Sequence, residues 1–230
     1  MSSENKGTHE GLETVEVALT SAEHFIEKNQ KIILYGVGAI LLVVALFFGA
    51  RKFYFQPRES EAQSQMFTAE RYFEKDSFNL ALNGDNNYPG FLEIMDKYSM
   101  TDAANLAHYY AGISYLHLGK FDEAIVQLNK FDGADMMVGP VAIGAIGDAY
   151  LELGKKDDAA KQYVKAADKG DNNFIAPVFL MKAAQVFESD KNYKKALELY
   201  EQIQKDFPLS TEGRQIDKYI TRATLLSESK

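Results

Sequence analysis

Residues able to do chemistry are sparse in this chain and poorly spaced for catalysis. Its four histidines are His9, His24, His108 and His117. The last two are nine positions apart, so they do not share a helix face, and the sequence has no HExxH pair for zinc. Cysteine is absent, which removes disulfides, thiolate metal sites and cysteine nucleophiles. No phosphate-binding loop, Gly-x-Ser-x-Gly elbow or dinucleotide glycine pattern occurs. We therefore expect no catalytic, cofactor-binding or metal-binding residue, and no enzyme.

The side chains that remain interesting are suited to binding polypeptide. Leu106, Tyr109, Ile113 and His117 recur at helical spacing, followed at a fixed interval by Gly144, Asp148 and Leu151, then by Met181, Gln185 and Glu188. On stacked helix pairs these positions would line one groove, its surface mixed aromatic, apolar and polar. Capture of a C-terminal carboxylate would need lysine and asparagine at several of them. They hold Tyr109 and Ile113, Gly144 and Asp148, Met181 and Gln185 instead, so the groove is expected to take an extended or helical peptide. Tyr109, Ile113 and Met181 have an equally good alternative role in helix packing. The net charge is −8 and no basic patch accompanies these positions, which argues against nucleic acid, since phosphate neutralisation needs clustered lysine or arginine.

What would position such a groove is a repeat. AGISYLHLGKFDEA (residues 111–124) superimposes on IGDAYLELGKKDDA (146–159) at a step of 35. A third copy lies 37 residues on, with Ala184, Phe187, Tyr193, Ala196 and Tyr200 in register. Periods of this length mark antiparallel helix pairs stacked into a solenoid. Gly112, Gly147 and Ala184 let the first helix approach its partner, and Ala124, Ala159 and Ala196 do the same from the second. Tyr115, Tyr150 and Phe187 are expected to fill the layer between helices. Gly119 and Gly154 suit a left-handed helix end, with asparagine substituting in the third copy's Asp190-Lys191-Asn192. Pro140, Pro177 and Pro208 fall at the joints. Thr211–Leu226 reads as a capping helix with Ile216, Tyr219, Ile220 and Ala223 on one stripe.

Ahead of the repeats, Ile32–Ala50 is nineteen residues without a charge. As a helix it spans about 28 Å, close to the hydrocarbon thickness of a bilayer. The run starts too late for a signal peptide, and FFGARKFYF after it offers no cleavage site, so an uncleaved anchor is expected. Lys28 and Lys31 flank one end; Arg51, Lys52 and Arg58 flank the other, a difference that leans slightly toward a cytoplasmic C-terminal domain but is too small to set orientation. Gly36, Gly38, Ala45 and Gly49 could admit a neighbouring helix. Val15, Ala18, Leu19, Ala22, Phe25 and Ile26 form an apolar stripe before the anchor, which either extends the membrane helix or meets a protein partner.

The expected organisation is all-α: a tail and amphipathic helix (1–31), a transmembrane helix (32–50), and a linker helix with a degenerate first repeat and inserted loop (51–104). Three repeats (105–139, 140–176, 177–210) and a C-terminal cap (211–230) follow. The repeats resemble the tetratricopeptide repeat superfamily, across roughly residues 57–226. The layout, with EHFIEKNQK (23–31) before the apolar helix and NLAHYYAGISYLHLGKFDEA (105–124) in the first clear repeat, resembles the YfgM-type family. That resemblance implies a bacterial inner-membrane anchor with periplasmic repeats. It also implies an ancillary role at the Sec translocon beside a membrane-bound periplasmic chaperone, with translocon subunits, that chaperone and secreted polypeptides as partners. A scaffold for outer-membrane or cell-wall assembly would carry the same repeats.

Overall fold

The computed structural model describes residues 6–229, with side chains described from Glu27 onward. The chain forms two units, one ending at Pro57 and the other beginning at Arg58. Among the described residues there is no β-strand, only one isolated bridge between Gly84 and Pro89.

The first unit is helix α1 (Lys6–Ala50), followed by a π-helical turn, Arg51–Phe55. Isoleucine, leucine, valine and phenylalanine are exposed around its whole circumference, for example Ile32, Leu41, Val43 and Phe47. None of its apolar stretch is buried within the protein. The helix is long and apolar enough to cross a membrane. A methyl group at Gly36, Gly38 or Gly49 would touch nothing within 4 Å, so these glycines answer to no contact inside the chain. The helix is continuous through residues 15–26, while the side chains of the Val15–Ile26 stripe lie outside those described.

The second unit is built from α2 (Gln56–Glu74) from Arg58 onward, α3 (Phe78–Asn83) and α4 (Phe91–Lys97), then three helix pairs. The pairs are α5 (Asp102–His117) with α6 (Phe121–Lys130), α7 (Val138–Glu152) with α8 (Lys156–Lys169), and α9 (Ala176–Ser189) with α10 (Tyr193–Asp206). Helix α11 (Asp217–Glu228) closes the stack. It is shorter at its start than the expected Thr211–Leu226, because Ser210 accepts from Gly213 N at 2.9 Å and turns residues 213–215 into a 3-10 segment. Ile216 and Ala223 are buried against α10, as a cap requires. Helix α3 has no counterpart in the sequence reading; six residues are too few for periodicity to show.

Small residues decide the pair geometry. A Cβ on Gly112 would lie 2.5 Å from Leu128 Cγ, and one on Gly147 would lie 2.7 Å from the Tyr163 ring. Leu128, Tyr163 and Tyr200 hold corresponding places in the three second helices, and all three are buried. They are the interior plugs. Tyr115, Tyr150 and Phe187, expected in that role, are half-buried and each lies under a lysine: Lys120, Lys155 and Lys195, at 5.8, 5.8 and 5.0 Å from the ring centres. They still pack against the core, Tyr150 against two neighbouring clusters, and their outer faces are covered by those lysines.

The tight turns follow one hydrogen-bond pattern. Lys120 N donates to Tyr115 O and Gly119 N to Leu116 O; residues 154–155 and 191–192 repeat it. This closure needs a left-handed residue, and Gly119 and Gly154 supply it with φ of 70° and 72°. In the third pair the left-handed residue is Lys191, φ 59°, and not the expected Asn192. Asn192 caps α10 by accepting from Lys195 N at 3.4 Å. Pro140 and Pro177 sit within the first turns of α7 and α9, where the missing N–H has no helical partner to lose.

Candidate binding groove

The structure draws Asp148, Leu151 and Gln185 into one cleft and places Glu188 in the next. The first, about 430 Å³, is lined by Asp148 and Leu151 of α7, Tyr163 of α8, and Lys182, Gln185, Val186 and Ser189 of α9. The second, about 540 Å³, is lined by Gln185, Glu188 and Ser189 of α9 and by Tyr219 and Arg222 of α11. Gln185 and Ser189 belong to both, so the clefts run together across the first helices of the last two pairs and the cap.

The polar geometry is a repeated triad. Asp148 Oδ1 accepts from the Tyr163 hydroxyl at 2.6 Å and from Lys182 Nζ at 2.7 Å. Glu188 accepts from the Tyr200 hydroxyl at 2.8 Å and is gripped by Arg222 at 2.7 and 2.8 Å, one bond to each oxygen. A third version stands at the start of the stack, where Tyr98 donates to Glu61 at 2.8 Å with Lys97 at 3.6 Å. The first two triads join a buried tyrosine on one helix to a carboxylate and a cation on two others; in the third, Lys97 and Tyr98 are neighbours at the end of α4 and reach Glu61 of α2 together.

Burial, and then the hydrogen bond to Asp148, push the Tyr163 phenol far above its ordinary range. Tyr200 is raised for the same two reasons, burial first and Glu188 second. Both hydroxyls therefore stay protonated at neutral pH and act as fixed donors. The Glu188 contact in turn raises the Arg222 guanidinium. Lys182 also lies over the Tyr163 and Phe179 rings, at 5.3 and 5.8 Å, so it is held in place rather than free to clamp an anion. What is left to contact a ligand is the apolar edge of Leu151, the Gln185 amide and the Ser189 hydroxyl, over a floor that includes the buried Val186.

The other sequence candidates go elsewhere. Leu106 is half-buried over α2, beside a separate cleft of about 290 Å³ with Glu59, Gln63, Met66 and Glu70. Tyr109 and Ile113 pack into the α5–α7 layer, with the Tyr109 ring 5.4 Å from Phe131. Met181 packs onto the core of the last pairs. His117 stacks flat on Phe78 of α3, ring centres 4.3 Å apart. Gly144 is no groove wall: it receives the Phe179 ring, which a Cβ would approach to 2.0 Å. Lys182, Tyr163 and Arg222 were missing from the sequence reading, and Tyr219 appeared there only on the stripe of the capping helix. A signal existed in the 34-residue step that separates Asp148 from Lys182 and Glu188 from Arg222. Among the described residues, no three His, Asp or Glu side chains are arranged to hold a metal ion.

Two tetratricopeptide repeat family models match, one over residues 106–131 and another over 145–210. The first covers α5 and α6, the second the following pairs. The fold is similar to crystal structures of nearly identical TPR-like repeats from a Podosopora anserina kinesin light chain. One aligns with a TM-score of 0.52 at 15% identity, and a second form with 0.51 at 14%; each covers 75% of this chain and 89% of that one. No curated protein matches the sequence. At such identity the likeness concerns fold alone, and with the repeat matches it identifies the second unit: the chain carries tetratricopeptide repeats, folded as a TPR-like α-solenoid.

Proposed function

We propose that the chain is a single-pass membrane scaffold whose repeats bind a segment of a protein partner in the groove over α7, α9 and α11. The observation that carries this reading is the pair of joined clefts, whose charged groups are already satisfied by one another and whose free surface is Leu151, Gln185 and Ser189. Such a surface favours a neutral peptide that offers an apolar side chain and backbone amides. The exposed apolar stretch of α1 supports anchoring, since in water so much apolar surface would drive association.

The finer reading is an ancillary subunit of the Sec translocon in a bacterial inner membrane, with periplasmic repeats working beside a membrane-bound periplasmic chaperone. Its support is the resemblance of the layout and of segments 23–31 and 105–124 to the YfgM-type family. Mild solubilisation of the full-length chain from native membranes, with mass spectrometry of what accompanies it, tests the partner. Translocon and chaperone subunits are expected; consistent recovery of outer-membrane or cell-wall assembly proteins would instead favour the other envelope role. Protease added to spheroplasts should digest the repeats without lysis, and digestion only after lysis would reverse the orientation.

A further inference from the structure

Every joint that leads from one helix pair to the next carries a large apolar side chain turned to solvent. Met100 is 71% exposed, Met136 56%, Met137 53%, Phe174 79% and Leu209 76%. None of these side chains helps the core, and joints of this kind are ordinarily polar. Because the helices are antiparallel, all these joints fall on one edge of the repeat unit. Side chains tie neighbours along it: Asn105 exchanges two hydrogen bonds with the backbone of Asp132, and Asn172 donates to Met136 O at 3.4 Å. The tight turns on the opposite edge carry Lys120, Lys155 and Lys191.

The same edge holds the point where the repeat unit begins. Glu59 accepts from Asp102 N at 2.7 Å, and Arg58 donates to Lys97 O, which sets the start of α2 beside Met100 and the start of α5. Arg58 follows the apolar run by eight residues and the Phe53-Tyr54-Phe55 cluster by three, and three residues reach at most about 10 Å. Chain length alone therefore keeps this edge within reach of the residues that follow the anchor. We propose that the apolar edge lies on the membrane, with Met136, Phe174 and Leu209 seated at the boundary between headgroups and acyl chains. The inference rests on the anchoring reading above. Asp96, Asp102, Asp132, Asp135 and Asp171 flank the joints, and Lys97, Lys130, Lys169 and Lys205 end the helices that lead into them, so the charges offset one another and contact is made by apolar insertion into lipid.

The absence of native cysteine makes the test direct. Single-cysteine forms of the full chain, labelled with an environment-sensitive fluorophore, are reconstituted into phosphatidylcholine nanodiscs with and without a lipid-borne nitroxide quencher. Phe174→Cys and Leu209→Cys should be quenched several-fold more than Lys120→Cys and Lys155→Cys, and added phosphatidylserine should not increase the difference. Ala45→Cys reports the anchor itself. Quenching at 45 with equal, weak quenching on both edges would overturn the inference and leave the anchor standing, as would labels at 174 and 209 shielded from water but untouched by the lipid quencher, the result for a protein occupant. No quenching at 45 would overturn both.

Discussion

The Tyr163 hydroxyl lies 2.6 Å from Asp148 Oδ1, so the ring that plugs one helix pair also fixes the carboxylate that faces the next. Lys182 then crosses from α9 to the same oxygen, and a single side chain couples packing within a repeat to alignment between repeats. Replacing it with phenylalanine keeps the ring and removes the bond. Tyr163→Phe should cost about 1 kcal/mol, a modest figure because Asp148 keeps Lys182 and reaches water. Urea denaturation of the repeat signal by circular dichroism measures it.

Gly147 faces that ring with no room for a methyl group, and Ala159 O lies 3.2 Å from the added atom. Gly147→Ala should destabilise the repeats by about 1–3 kcal/mol through overpacking. Gly38→Ala, with nothing within 4 Å, is the matched control and should leave repeat unfolding unchanged. Equal effects would mean the close approach of α7 and α8 is not what the glycine provides.

Lys191 adopts a left-handed backbone that its side chain disfavours. Lys191→Gly relieves that conflict, and after the loss of chain entropy in the unfolded state a gain of about 0.5 kcal/mol is expected. The midpoint of thermal unfolding should rise. A fall would show that the lysine side chain does something at this turn beyond completing it.

Alkali should loosen the stack in a defined window. Tyr163 and Tyr200 hold their protons more tightly when folded than the ordinary phenol near 10, so their contribution is complete below that value. It is lost as pH rises above 10 toward the elevated folded values, because the unfolded chain releases those protons first. Denaturation followed between pH 9 and 11.5 should show stability falling, and the fall should be shallower in a Tyr163→Phe, Tyr200→Phe double variant.

The repeat architecture was legible because it depends on local rules that recur: a small residue, a helix-ending glycine and an alanine at fixed steps. Gly112, Gly147 and Gly154 announce themselves by identity alone. The groove was less legible. Asp148 and Gln185 share a first-helix register, but whether a register position faces a cleft or a neighbour depends on the next repeat. Tyr109 meets Phe131 and Gly144 meets Phe179, and neither contact is visible until the helices are stacked. Lys182 and Arg222 were overlooked since their role exists only across a repeat boundary. The left-handed Lys191 was misplaced by one residue, since asparagine has the better reputation for that conformation and was needed one position later as a cap.

The most direct test of the scaffold account is site-specific photo-crosslinking in living cells. A photoreactive phenylalanine derivative is placed at Gln185, in the shared wall of both clefts, and at Val126, which is exposed on α6 away from them. The account predicts a covalent adduct from position 185 with a translocon or chaperone subunit or a secreted polypeptide, and little from position 126. Equal adducts from both positions, or adducts from 126 alone, would contradict it.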